Sequence, residues 1–512
     1  MMKKITIGLL SILATTAFAE IWMPRIFNDN MVLQAGMPNK IWGTAEANAK
    51  VVVDIAGKKI TVKANDKGQW TVRTAKLKKS AKPVSFVVSE NGKEQKNFKN
   101  VLVGEVWILG GQSNMQWTMK KTTDFEAAKG RINPNIRIFS QPASTMATEP
   151  KIEFHEKAKW NVADENSMPV ASAVGYYFAE MIAKELKTPV GLVETPLGGS
   201  SMIAWISKEK LTTKALSENL AKFEKAQSTY NYEKAKAAHK AKLDKLSKDA
   251  KAKKWSKAEV AKKRSAIIRS TPNPVSVWRP QETPSYLWNA KVAPLAGFTA
   301  KGFVWYQGES DAGKGKVKSF APTFKILINH WREAWGVKNM PFYFFQLPSF
   351  GTQSFWSDVR VSQQKVANEM KNVYMVPIVD SGDEKDIHPQ DKTFVCKRLF
   401  ALAMNKTYKK SAYKCDNAQF VSAKYNGQKV IVKFSKKIKA NGDLRGFEVL
   451  IDKKWVAPTS LKLGGDSVEV SADSNIEGVR YLWKSWAKPD VCLFTVSSNF
   501  PVSTFTSVNK TK

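Results

Sequence analysis

Cysteine and histidine are the scarce residues of this 512-residue chain. The three cysteines, Cys396, Cys415 and Cys492, allow at most one disulfide, which excludes a fold held by staples in place of cores. Cys396 and Cys415 are the nearer pair, but spacing alone establishes no bond. None stands in a CxxC, and all three read as structural. Four histidines and no HExxH leave too few ligands for a metallohydrolase. Acidic residues are also short: 81 Lys and Arg face 45 Asp and Glu, a formal charge of +36. Such an excess raises the question of nucleic acid, yet it is mostly lysine, spread along the whole chain, with no helix-turn-helix, zinc-finger or RNA-binding signature. Lysine is a solvated point charge, whereas base and phosphate readers mix in arginine. Attraction to acidic glycans or anionic envelope surfaces explains the charge as well, so no nucleic-acid partner is expected. Beyond the N-terminus no long uncharged apolar run occurs, and no stable membrane insertion is expected.

What is present is core-forming material. Hydrophobic content is 43%, aromatics reach 11%, and the seventeen Trp suit both aromatic-rich β-structure and a sugar-stacking surface. The length favours two to four domains. At the N-terminus Lys3 and Lys4 precede an apolar run from Ile5 to Leu13, and Ala17-Phe18-Ala19 forms a small-x-small cleavage site. Residues 1–19 therefore read as a signal peptide, with a mature chain from Glu20 exported to the periplasm or the exterior.

From residue 20 to about 100, short alternating runs such as Lys50 to Ile55 and Val84 to Val88 are punctuated by turns at Asn65-Asp66-Lys67-Gly68 and Glu90-Asn91-Gly92. This predicts an antiparallel β-domain, a sandwich or jelly-roll-like unit. Residues 101–412 change character. Val101 to Leu109 is nearly continuous in apolar residues, as a strand buried on both faces must be. Similar runs recur at Val190 to Val193, Gly302 to Tyr306, Phe342 to Leu347 and Val373 to Val379. Helical patterns lie between them: one capped by Ser172, one over Phe320 to Trp335, one over Val359 to Met370. Alternating strands and helices predict a three-layer α/β fold on a parallel sheet. A Lys-rich stretch at about 208–268 interrupts it, with Leu216, Leu220 and Phe223 as a thin apolar stripe; it reads as a solvated helical hairpin, with a lid as the alternative. From 413 to 512 alternation returns and predicts a second β-rich unit.

The chemistry concentrates at strand ends. Val101 to Leu109 runs into Gly110-Gly111-Gln112-Ser113-Asn114-Met115-Gln116-Trp117, where two glycines permit a sharp turn at the carboxyl end of a buried strand, the place where such sheets bind ligands. Ser113 would expose its hydroxyl there, with its own N–H aimed at a developing oxyanion. The strand at Val190 ends in Gly198-Gly199, a second source of backbone N–H groups, and the strand at Gly302 ends in Gln307-Gly308-Glu309-Ser310-Asp311, where Gln307 offers an amide donor. For the base, His239 sits in the Lys-rich insert, His330 inside a helix and His155 in an irregular stretch. His388 alone follows a buried strand, with Asp380, Asp383 and Asp386 at hand to fix its tautomer.

These blocks resemble those of the bacterial sialate O-acetylesterases of the SGNH hydrolase superfamily, which are carbohydrate acetylesterases. The resemblance rests on Gly111-Gln112-Ser113-Asn114-Met115, Gly198-Gly199, Trp305-Tyr306-Gln307-Gly308-Glu309-Ser310 and Asp386-Ile387-His388-Pro389. Pro24-Arg25-Ile26-Phe27 and Asn30-Met31-Val32-Leu33-Gln34 support it, so that it covers nearly all of the mature chain. It implies a three-layer, flavodoxin-like SGNH domain that deacetylates carbohydrate, sialic acid foremost, without metal or cofactor. Acetylated xylan or another plant glycan is the rival substrate, and a non-catalytic sugar-binding protein the rival role. By that likeness Ser113 is the nucleophile, His388 the base, and Asp386 its partner. Ser113 N–H, Gly199 N–H (preferred over Gly198) and Gln307 form the oxyanion hole, while Gln112, Asn114, Trp117, Glu309 and Asn289 contact the sugar. The chain departs from many relatives in having Lys385 three residues before the histidine. Asp383, Asp380 or an unassisted Ser–His pair therefore remain alternatives to Asp386. In Leu287-Trp288-Asn289-Ala290, Ala stands where relatives often have Gly.

Overall fold

The computed structural model describes residues 20–268 and 271–508, so the segment 1–19 read as a signal peptide lies outside the described residues. The central sheet runs in the order Val373–Val376, Phe342–Phe345, Gly302–Tyr306, Lys93–Gly111, Val190–Glu194, Ile136–Ser140, Lys159–Val162. All neighbours are parallel except the last pair. Successive residues on a strand face opposite sides, and both sides are covered. Trp107, Leu109 and Leu192 pack against Val174, Phe178, Val395 and Leu399 from the helices Ala173–Leu186 and Lys392–Lys406. Val106, Ile108 and Phe303 face Phe324, Leu327 and Val359 from Phe320–Trp335 and Trp356–Glu369. This double burial explains the continuous apolar runs and gives the three-layer α/β arrangement.

Two features differ from the sequence expectation. Ile136–Ser140 and Lys159–Val162 join the sheet although neither was recognised as a strand. They are short, and the second is an antiparallel edge, so the sheet is mixed and not purely parallel. The central strand also starts at Lys93, not Val101. Its first part pairs antiparallel with Ser80–Glu90, and its last part pairs parallel within the central sheet. Asn100, at φ 56°, marks the change of direction, with its amide donating to Asn30. One continuous strand therefore crosses the position at which an N-terminal unit was expected to end.

Ahead of that strand, Lys50–Ile55 pairs antiparallel with Lys58–Lys63 and Ser80–Glu90, and Lys40–Thr44 with Gln69–Arg73. Toward the C-terminus, antiparallel sheets built on Lys429–Phe434, Ser467–Ser471, Phe447–Ile451 and Gly478–Tyr481 close over Val430, Val432, Val449 and Tyr481. This β-rich region is pinned to the α/β layer by buried Arg360, which donates to the carbonyls of Leu347, Pro348, Lys484 and Ser485. The Lys-rich insert forms three helices, Lys214–Ser228, Tyr232–Ala252 and Lys257–Ile268. Its first helix is not merely solvated: Leu216 and Phe223 are buried, the latter against Trp278 and Tyr286. All three cysteines are free and buried.

Candidate active site

The turn after the central strand depends on Gly111. Its φ is +121°, and a Cβ there would lie 2.2 Å from the Tyr306 carbonyl oxygen on the adjacent strand, so any side chain would push the strands apart. Ser113 then opens the four-residue helix Ser113–Gln116. Its N–H belongs to a first turn without intrahelical acceptors, and its half-buried hydroxyl makes no hydrogen bond among the described residues. The loop after Val190–Glu194 packs directly on it. Leu197 N–H donates to the Gly111 carbonyl, and a Cβ on Gly198 would stand 3.4 Å from Ser113 Cβ. Gly198 N–H is already given to Gln116 Oε1 at 2.7 Å. Gly199, at φ +70°, is the member of the pair whose N–H has no acceptor among the described residues.

The loop carrying His388 is held to the serine turn by a clamp. Asn114, next to the serine, donates from Nδ2 to the Ile387 carbonyl at 3.0 Å, next to the histidine. Trp117, on the same turn as Ser113, stacks on the His388 ring with centroids 4.8 Å apart and planes inclined by 16°. Residues adjoining the hydroxyl thus bond to residues adjoining the imidazole. Burial, with Lys392 and Lys121 assisting, holds the imidazole below the usual histidine range; the Asp386 carboxylate opposes this. A neutral ring near pH 7 is what a general base requires.

The three carboxylates behind His388 have different partners. Asp386 Oδ1 accepts from the His388 backbone N–H at 2.9 Å and stands 3.4 Å from Nδ1. Asp383 caps its own loop, accepting from the N–H groups of Lys385 and Asp386. Asp380 is held by the two terminal guanidinium nitrogens of Arg398. Only Asp386 faces the ring, two residues away, because the turn that binds its oxygen to the His388 N–H brings the carboxylate back. The other histidines lie elsewhere: His155 caps Lys157 N–H, His239 approaches Thr271 in the insert, and His330 is buried on Trp288 and pushed down to about 4 by desolvation.

Several residues expected to touch the sugar are enclosed instead. Asn114 has no exposed surface. Its Nδ2 also donates to Glu309 Oε1 at 2.7 Å, and its Oδ1 accepts from Lys392 Nζ at 2.6 Å. Glu309 Oε2 is likewise buried, and desolvation raises that carboxyl. Gln112 is buried, its Oε1 accepting from Ser310 N–H. Asn289 turns its amide to the carbonyls of Ala147 and Thr148 and supports that segment. Trp117 is half-exposed beside the imidazole, and Glu309, though partly exposed as a residue, keeps its carboxylate turned inward. Gln307 also differs from expectation. Buried, it spends Nε2 on the Ser200 carbonyl at 3.1 Å and on Asp311 Oδ2 at 2.5 Å. An amide has two hydrogens, and both are used, so Gln307 braces the glycine loop from below. Lys392 and Asp311, which complete these networks, were not singled out from sequence. Lys392 is buried and pushed down to about 7 by desolvation, and its only sequence signal is its place four residues past the histidine.

The family described as carbohydrate esterase, sialic acid-specific acetylesterase, matches residues 103–249 and 270–404, which carry every group just placed. The chain belongs to this family. It is a carbohydrate O-acetylesterase, and so a carboxylic ester hydrolase. The rat sialate O-acetylesterase is 25% identical over 91% of this chain and 90% of its own length, and the mouse protein is 27% identical over 70% and 68%. A solved carbohydrate acetylesterase from Xanthomonas citri superposes with a TM-score of 0.77 at 26% identity, covering 96% of this chain and 100% of that one. The family's SGNH-type α/β fold is therefore present together with its added β-rich sheets.

Proposed function

We propose that this acetylesterase works through an acetyl-serine intermediate and that its substrate is an O-acetylated sialic acid. Ser113 Oγ attacks the acetyl carbonyl while His388 Nε2 takes its proton; Asp386 steadies Nδ1 and the imidazolium that forms. The tetrahedral oxyanion sits against the N–H groups of Ser113 and Gly199. Collapse expels the sugar alkoxide, which takes the proton from His388. Water, deprotonated by His388, then releases acetate and restores the serine. The observation that carries this reading is the clamp between Asn114 and Ile387, with Trp117 stacked on His388, which joins the nucleophile turn to the imidazole loop. A net charge of +36 supports an anionic sugar through electrostatic steering. The basic, apolar and small-residue order of residues 1–19 supports export, with Glu20 as the new N-terminus.

Acetate release from acetylated sialic acids, xylo-oligosaccharides and pectin fragments tests the substrate. The sialic acids should be deacetylated with the highest kcat/KM, and a preference for xylo-oligosaccharides would overturn that assignment. Ser113→Ala should abolish essentially all turnover with the fold intact; substantial residual rate would discard the nucleophile.

A further inference from the structure

A cleft of about 510 Å³ opens beside the glycine loop, and the chemistry described so far does not use it. Its walls come from four separate stretches: residues 201–203, the first insert helix, residues 278–282, and residues 311–323. The link to the reaction centre is short. A Cβ on Gly199 would lie 3.6 Å from Arg279 Nη2, just as one on the preceding glycine would lie 3.4 Å from Ser113 Cβ. Arg279 uses Nε on Glu282 at 3.1 Å, while its two Nη groups make no hydrogen bond among the described residues. Lys222 and Lys314 add two exposed cations to the walls, neither with an ion pair among the described residues. Asp311 on the cleft floor does not cancel them, because its carboxylate already accepts from Gln307, Ser201 and the Met202 N–H. Trp278, braced against Phe223 at 5.2 Å, supplies an apolar ring on the same wall.

A planar guanidinium with free ends, flanked by lysines and an aromatic face, suits a carboxylate carried on a sugar ring. We infer that this cleft binds the carboxylate of an acidic sugar, with Arg279 as its main partner and Lys222 of the Lys-rich insert as a second. Arg279 is thereby a specificity-determining residue, and the insert forms part of the substrate site. The inference rests on the sialate reading and gives it a structural reason: a sialic acid has its carboxylate on the ring and ester-bearing hydroxyls at the far end, so one molecule can span from Arg279 to Ser113.

The test compares acetate release from an O-acetylated sialic acid and from its methyl ester, which keeps the shape and removes the charge. The unmodified protein should prefer the free acid, and Arg279→Ala should shrink that preference about 10- to 100-fold, the span of a charge-assisted hydrogen-bond pair. Arg279→Lys should retain part of it. Lys222→Ala, at an exposed position where folding is not at stake, should shrink it by a smaller factor and provides the check if Arg279→Ala does not fold. Equal rates on acid and methyl ester by the unmodified protein, or a preference untouched by the Arg279 and Lys222 variants, would overturn the inference and leave the esterase mechanism standing. Absence of acetate release from either compound would instead overturn the sialate reading, and the carboxylate site with it.

Discussion

Replacing Asn114 with alanine removes a side chain that ties three elements together below the reacting groups. In the folded protein its amide donates to Glu309 Oε1 and to the Ile387 carbonyl, and its oxygen accepts from Lys392 Nζ, all in a fully buried position. A neutral hydrogen bond contributes about 0.5–1.5 kcal/mol net, and one to a charged group about 1.5–3. Two of the three partners are ionisable, which gives a gross loss of about 3.5–7.5 kcal/mol on that scale. The lower part of the range applies, because desolvation already shifts Glu309 up and Lys392 down toward their neutral forms, which reduces the penalty of leaving them unpaired. The expected cost is about 3.5–5 kcal/mol, comparable to breaking other buried charged contacts.

Catalysis should suffer separately. Without the bond to Ile387 the His388 loop loses its hydrogen bond to the residue beside Ser113, and a displacement of about 1 Å costs on the order of 10² in rate. Urea unfolding gives the first quantity and steady-state acetate release the second. Asn114→Ala should lower kcat about 10²-fold while KM stays near its original value. A stability loss below about 1 kcal/mol with unchanged kcat would refute the clamp, since even one buried hydrogen bond is worth that much. A large rise in KM at constant kcat would restore Asn114 to the sugar-contacting role first expected of it.

The pH profile offers a signed test. In the proposed mechanism His388 accepts the serine proton in its neutral form, so activity should fall on the acid side at a pH below the ordinary histidine value. Asp386→Asn removes a group that raises the pKa and should move that limb further down while lowering kcat; Lys121→Glu replaces a group that lowers it and should move the limb up. Movement in the opposite directions would show that another group titrates. Gln307→Ala, if the amide is a brace, should reduce unfolding stability by about 1–3 kcal/mol because Asp311 and the Ser200 carbonyl lose a buried donor. A fall of about 10²–10³ in kcat with stability unchanged would instead mark it as a direct oxyanion donor.

The sheet was legible because burial on two faces demands unbroken apolar runs, and Val101 to Leu109, Gly302 to Tyr306 and Phe342 to Leu347 are of that kind. Ile136–Ser140 and Lys159–Val162 escaped notice for the complementary reason: Arg137 interrupts the apolar run of the first, and the edge strand has one side only partly covered. The start of the central strand at Lys93 was hidden by its polar first half, which alternates as an antiparallel hairpin arm before becoming a core strand.

Within the site, sequence distinguishes poorly between a polar residue that touches substrate and one that holds such a residue in place. Gln112, Asn114, Gln307 and Glu309 lie in the motifs that form the strand-end loops; the first three prove to be enclosed, and so does the Glu309 Oε2. The reason is geometric. Loops that meet over the end of a parallel sheet leave backbone carbonyls and N–H groups without ladder partners, and buried polar groups must be paired. Ile387 O, Ser200 O and Ser310 N–H are such groups, and Asn114, Gln307 and Gln112 are the side chains that pair them. A motif of this kind therefore encodes two sets of residues. One is small, Ser113 and His388 with the Gly199 N–H, and is left free of protein partners or nearly so. The other is larger and hydrogen-bonded within the protein, and it fixes where the first set can stand. Engagement, not position in a motif, separates the two, and it depends on which loops face each other, which the linear chain does not state.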